Sequence, residues 1–364
     1  MCAVKTTVII TTHNEGKAGF VANDDDPSKM EPVDDLSAKH NCNEVRATIE
    51  SIRTNTASNP EIVIVDDGST DGSTDGLEKD GIKLIKHKER IGIAFSRNEG
   101  CDAARSDSKV YYFLDAHQRV SPGCIDHCAD VAMEYQAVIW PDVYGIRKRN
   151  WTGHGAYAAI SDNVKDKKVR RKHKRGRCLF DARYNNKEPR DRISRCSAMV
   201  VPGYAVTAKQ WHETLRLPSA LRGWGASEPA LWTKAWALDI DVIHTCGPKG
   251  QQALARHLFR KKPGYGLHWG GDMSIILNHA IVCKTVFSAK AWDAFWWPTV
   301  FNNKQNGKHL NEHALAVLNS PELQEEHLEF QIKKKRLDSE FFRGLLHKPV
   351  PDELIGMDAL AYNK

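Results

Sequence analysis

No run of 18 or more apolar residues occurs anywhere in the chain, which excludes a membrane-spanning helix of ordinary length. The first twelve residues pass from a short polar start directly into a β-branched run. They lack the basic stretch and long apolar core of a secretory signal. The nine cysteines form no Cys-x-x-Cys pair. Cys124 and Cys128 stand at i, i+4, but no second pair lies at zinc-site spacing, so a structural zinc site and a disulfide framework are both disfavoured. Reduced thiols in a cytoplasmic setting are expected. No repeat of 20–50 residues is visible, which removes solenoids and propellers. What remains is ordinary globular composition, 41% hydrophobic and 27% charged over 364 residues. That length suits one large α/β domain with a smaller accessory region.

Charge is unevenly distributed. Residues 165–177 (KDKKVRRKHKRGR) hold nine Lys/Arg against one Asp, a local +8, so the rest of the chain carries −2 of the total +6. A concentrated patch of this kind suits a polyanionic partner, the other reading being a solvated surface loop. Lys168, Arg170, Arg171, Lys172, Lys174 and Arg175 are its candidate contact residues.

The runs Val4–Ile10, Glu61–Val65, Ile82–Ile85 and Val110–Leu114 read as strands buried on both faces. Helical stretches separate them: Asn43–Arg53 puts Val45, Ile49 and Ile52 on one face, and Ile93–Arg105 offers Ala94, Cys101 and Ala104. Strands alternating with helices predict a doubly wound, mostly parallel α/β sheet. Residues 17–43, rich in Asp and Pro, read as a mobile surface insertion. From about Ala291 a helical extension is expected, with Leu310, Ala314, Val317 and Leu318 on one face, giving a catalytic domain over 1–290 and an extension over 291–364.

Ligands of such sheets sit at the carboxyl ends of the strands. Those ends are Thr11-Thr12-His13-Asn14-Glu15, Asp66-Asp67-Gly68-Ser69-Thr70-Asp71 and Asp115-Ala116-His117. An Asp and a His two apart on an extended segment point the same way, and a carboxylate with an imidazole suits Mn²⁺ or another divalent cation. Asp66 and Asp71 read as turn formers, and Trp232 and Trp236 as core.

The ordered set VIITTHNEG, EVRATIESI, EIVIVDDGSTDGS, RIGIAFSRNEG and YYFLDAH resembles family 2-like glycosyltransferases with the A fold (GT-A). Asp-x-His in place of Asp-x-Asp, Gly223-Trp224-Gly225-Ala226-Ser227-Glu228, and His257-Leu258-Phe259-Arg260-Lys261 followed by Tyr265 resemble the polypeptide N-acetylgalactosaminyltransferases in particular. The likeness spans roughly residues 4–15 and 44–270. It implies a UDP-sugar donor, with Thr11, His13 and Asp67 on the nucleoside, the Asp67 carboxylate accepting from the uracil N3–H. It implies Arg90 and Arg97 facing the nucleotide or its sugar, and Asp115, His117 and His257 holding the metal. Arg260 and Tyr265 would contact the diphosphate. Gly203 lies where the family has a Gly-Gly segment, its first glycine being Pro202 here, which leaves the sugar (GalNAc, GlcNAc or Glc type) open. Trp224 and Glu228 would serve the acceptor side, although alignment on Trp224 and Trp236 places Ser227 at the family's acidic position. The likeness also implies retention of anomeric configuration.

Those relatives carry a membrane anchor and a lectin domain, and neither is recognisable here, so a protein acceptor does not follow. With the basic run between the metal-site strand and Trp224, the favoured acceptor is a hydroxymethyl pyrimidine in DNA. A Ser/Thr O-glycosyltransferase acting on polypeptide is the alternative. An inactive nucleic-acid-binding module is the reading from a different class, against which the Asp115, His117, His257 and Arg260 set argues.

Overall fold

The computed structural model describes residues 3–22, 28–147, 152–153, 156–160, 180–184, 192–200, 202–247, 254–258, 273–303, 306–307, 310–347 and 349–355. Thr6–Thr12, Glu61–Asp66, Lys83–Lys86 and Val110–Asp115 form the four predicted strands. All four are parallel, in the order 83–86, 61–66, 6–12, 110–115. Tyr204–Thr207 then joins Val110–Asp115 in the antiparallel sense, and Val138–Gly145, Val242–Thr245 and Ile193–Cys196 extend the sheet beyond it.

Alternation along the Thr6–Thr12 strand explains its sequence. Val8 and Ile10 face one layer with Val45, Ile49, Ile52, Ile62, Ile64, Ile125 and Ala129. Ile9 faces the other, with Val63, Ala94, Cys101, Phe113 and Trp140. Every residue of the strand is buried, and each large apolar side chain removed from water contributes about 1.5–3 kcal/mol. The helix Glu44–Asn55 buries the predicted face of Val45, Ile49 and Ile52, and the Asn43 side chain caps it by accepting from the Arg46 N–H.

Among the described residues, the C-terminal helices share the core of the sheet domain. Trp296, Phe301, Phe341 and Phe342 belong to the same buried cluster as Trp140, Trp232 and Trp236 of the sheet domain. Phe287 bridges the two parts, its ring centroid 4.6 Å from Trp296 and 4.8 Å from Phe341. Trp232 and Trp236 are core, as expected, and Ala314 and Leu318 are buried beneath the Glu312–Leu318 helix.

Within residues 17–43, expected as a mobile surface insertion, the described part packs against the body of the domain. Phe20–Ala22 pairs with Met30–Pro32, and Val33, Ser37 and Cys42 are buried. The Asp34 carboxylate caps a short helix through the Ser37 N–H and accepts from Arg119 Nε (3.0 Å) and Nη2 (3.1 Å). Arg119 is 6% exposed and also donates to the fully buried Glu44 at 2.9 Å. The acidic composition that reads as solvated supplies counter-charge for a buried guanidinium.

Candidate active site

Parallel register sets the site. Thr11 lies beside Asp115 and Thr12 beside Asp66, so the loops after the three strands meet at one edge. Asn14 binds the first two together: its N–H donates to Ser69 Oγ (2.9 Å) and its Oδ1 accepts from the Thr70 N–H (2.8 Å). Asp66 accepts from the Ser69 N–H, and Asp71 from the N–H groups of Gly16 and Ser73, the turn-forming roles the sequence suggests for both.

Asp115 ends its strand, and Gln118–Val120 follows after a two-residue turn. Leu254–His257 runs antiparallel to Gln118–Val120 and sets His257 opposite Gln118, next to His117. The two imidazoles meet edge to face with centroids 4.8 Å apart. One ligand atom from each of Asp115, His117 and His257 lies within 4.8 Å of the others. His257 Nε2 is 3.4 Å from Asp115 Oδ2. Burial opposes ionisation of Asp115, but the hydrogen bond to His257 and the neighbouring His117 and Arg97 outweigh it and hold its pKa down at about 2. A carboxylate ionised at neutral pH together with two imidazoles fits a divalent first-row cation by donor type and by spacing.

Arg97 is 2% exposed and comes from the Ile93–Ala103 helix. Nη1 donates to Glu228 Oε1 at 2.7 Å, and Nη2 stands 3.7 Å from Asp115 Oδ1. Its guanidinium lies 5.8 Å from the Tyr204 ring centroid. Arg97 therefore links Glu228 to Asp115 in the cluster; the sequence reading expects it to face the nucleotide or its sugar. Glu228 opens the helix Ser227–Ala237 and also accepts from Ser227 Oγ at 2.8 Å.

Asp67 is buried, and its carboxylate accepts from the N–H groups of Ile91 (2.7 Å) and Gly92 (2.9 Å) and from His87 Nδ1 (2.9 Å). That leaves about one of a carboxylate's four acceptor sites for a nucleobase. Asp67 thus builds the turn carrying the exposed Arg90. Gly92 has φ +136°, and a Cβ there would lie 2.3 Å from the Gly223 nitrogen, so only glycine lets this turn pair with the Trp224 loop. Gly223 donates to Ile91 O (2.9 Å) and accepts from the Ile93 N–H (3.1 Å). His13 Nδ1 lies 2.8 Å from Asp67 O. Gly203 has φ +113° and donates to Phe113 O at 2.7 Å.

Four contributors escaped sequence reasoning. His87 sits between Asp67 and Glu99, 2.9 and 2.6 Å away. Gln118 accepts from the Asp115 N–H (2.8 Å) and donates to Pro202 O (2.7 Å), joining the strand end to the Gly203 turn. Asn278 donates to the carbonyls of Arg222, Trp224 and Gly225 and anchors the half-buried Trp224. Glu15 Oε1 is 3.1 Å from His117 Nδ1. Arg260, Tyr265, Lys168, Arg170, Arg171, Lys172, Lys174 and Arg175 lie outside the described residues.

His87 yields a pH prediction. Burial lowers its pKa, but hydrogen bonds to Glu99 and Asp67, and their charges, outweigh burial and raise it above the ordinary 6.5. The folded state then keeps a proton that the unfolded chain loses, so this stabilisation is complete below pH 6.5 and fades as pH rises through the folded value. Urea unfolding from about pH 6 to about 9 will show stability falling in the native protein, and His87→Gln will flatten that slope.

Residues 38–210 match the family model Glycosyl transferase family 2. A stretch of 88 residues, 23% of this chain, is 36% identical to EpsH of Bacillus subtilis (strain 168), a protein described as a glycosyltransferase. The chain spans 24% of EpsH. Among solved structures, GalNAc-T7 with UDP, GalNAc and Mn²⁺ superposes with a TM-score of 0.63 at 16% identity, over 96% of this chain and 59% of that one. That likeness extends through the C-terminal helices and establishes the fold. Residues 38–210 are therefore similar to glycosyl transferase family 2, and the chain has the GT-A fold.

Proposed function

We propose that the chain is a divalent-metal-dependent glycosyltransferase that moves a sugar from a UDP-sugar to an acceptor hydroxyl with retention of configuration. The observation that carries this reading is the convergence of Asp115, His117 and His257 at the carboxyl edge of the parallel strands, within 4.8 Å. The presence of UDP, GalNAc and Mn²⁺ in GalNAc-T7, which shares the fold, supports the donor and cation chosen. A cation held there supplies charge neutralisation for the departing diphosphate. The chain's own groups do the rest. Asp115 stays ionised at neutral pH, the Asp67-built turn presents Arg90, and Glu228, held in place by the Arg97 hydrogen bond, is the acceptor-side group that orients a hydroxyl. The acceptor's proton leaves with the diphosphate, so no side-chain nucleophile is required.

For the acceptor we favour a hydroxymethyl pyrimidine in DNA. Nine cations in thirteen residues suit a phosphate backbone, and an unmodified base offers no suitable hydroxyl. The base would leave the stack to reach the cluster. Among the described residues no helix is long and apolar enough to cross a membrane.

The test is UDP release from a panel of UDP-sugars with Mn²⁺, with and without hydroxymethylated DNA. Release with one sugar, stimulated by that DNA and lost on deletion of 165–177 without loss of basal hydrolysis, is the expected result. Stimulation by a Ser/Thr peptide instead would move the acceptor to protein. No release with any donor would overturn the reading.

A further inference from the structure

We propose that Glu15 is a positioning residue that fixes the His117 ring, tautomer and orientation together, and so sets the affinity of the cluster for its cation. This rests on the metal reading of Asp115, His117 and His257. Glu15 lies 102 residues from His117 in sequence, yet its Oε1 is 3.1 Å from Nδ1, with side-chain exposures of 7% and 18%. A carboxylate can only accept, so Nδ1 carries the ring proton and Nε2 keeps the lone pair that a metal requires. An imidazole restrained in this way loses less rotational freedom on binding a cation and is the more basic ligand.

The backbone around Glu15 is built to hold it there. Asn14 adopts φ +55°, a left-handed conformation that turns the chain sharply after the strand. The Ser69 and Thr70 contacts lock that turn. The Glu15 carbonyl accepts from the Glu44 N–H (3.0 Å) at the start of the Glu44–Asn55 helix. Glu44 in turn binds Arg119, two residues after His117. Glu15 and His117 are thereby referenced to the same buried helix end, and the contact between them has little freedom to drift.

Orientation and direct ligation make different demands on the side chain. An orienting acceptor needs only an oxygen at the Oε1 position, which glutamine also provides, whereas a ligand or counter-charge needs the carboxylate. The experiment measures the Mn²⁺ dissociation constant by calorimetry on the full chain and its Glu15→Gln and Glu15→Ala variants, with thermal unfolding as the control for folding. The His117 tautomer is read from ring ¹⁵N shifts in the metal-free proteins. The expected result is an Nδ1-protonated ring in the native protein and in Glu15→Gln, with Mn²⁺ affinities within about threefold of each other. Glu15→Ala should show mixed tautomers and bind roughly 10- to 100-fold more weakly. Equal weakening in Glu15→Gln and Glu15→Ala would overturn the positioning role in favour of ligation or charge. Unchanged affinity and tautomer in Glu15→Ala would overturn it outright. An Nδ1-protonated ring in a native protein that binds no Mn²⁺ would overturn the metal reading, and the role built on it, by a result neither variant can mimic.

Discussion

Asp115→Ala will lower Mn²⁺-dependent UDP release by roughly a thousandfold or more while leaving the protein folded. The size follows from what one carboxylate does at this position. It is the anionic member of the three-residue cluster, and with its pKa at about 2 it is ionised at neutral pH. Removing it leaves two imidazoles, neither of them an anion, to hold a dication beside the Arg97 guanidinium, itself 3.7 Å from the lost oxygen. A repelled cation cannot shield a departing diphosphate, and several kcal/mol of barrier return. The side chain lies at a strand end with 19% of its surface exposed, so alanine leaves no large cavity. Steady-state release at saturating donor over a range of Mn²⁺ concentrations, with circular dichroism for folding, checks both halves. A variant that keeps a tenth of native activity at low Mn²⁺ would remove Asp115 from the metal site.

The parallel half of the sheet was legible because buried parallel strands announce themselves as continuous β-branched runs and because the polar residues ending them are few. The Asp115–His117 pair was legible as an Asp-x-His at a strand end. Residues 116 and 117 form a turn, so the extended period-two geometry that suggested the pairing is not what the structure uses. His257 became a partner only through its motif, because the ladder that brings it opposite Gln118 leaves no trace in spacing. The supporting hydrogen bonds were not legible. Gln118, Asn278 and the Arg119 network join residues that are far apart in sequence, and a single amide or guanidinium carries no periodic signal. Composition misled at 17–43, where Asp34 reads as solvent-facing acid until its partner Arg119 is known. Arg97 was readable in principle. It stands three residues after Ala94 and four before Cys101, on the face that those two residues bury, so a guanidinium there had to find carboxylates inside the protein.

Arg97→Met carries the second large effect, and it divides stability from metal affinity. The substitution keeps the apolar stem against the helix face and removes the charge between Glu228 and Asp115. Breaking a buried ion pair from one side costs about 3–5 kcal/mol, because the remaining carboxylate stays desolvated and unpaired. Glu228 and Asp115 retain 15% and 19% side-chain exposure, and His117 and His257 still attend Asp115, which puts the expected loss near the lower end, ~3 kcal/mol by urea unfolding. The double variant Arg97→Met with Glu228→Gln removes the orphaned charge as well and should recover most of that loss. Cation binding should move the other way. A positive charge 3.7 Å from Asp115 opposes any dication placed on that carboxylate, so Mn²⁺ should bind Arg97→Met about tenfold more tightly, a gain of about 1.4 kcal/mol. Because Mn²⁺ binds only the folded chain, saturating it will return part of the lost stability to the variant and less to the native protein. Transfer will nonetheless fall, since Glu228 loses the partner that holds it as an oriented carboxylate. Weaker Mn²⁺ binding in Arg97→Met would mean that Arg97 supports the cluster through packing, and a stability loss below about 1 kcal/mol would mean that Glu228 finds water or another donor when the guanidinium is gone.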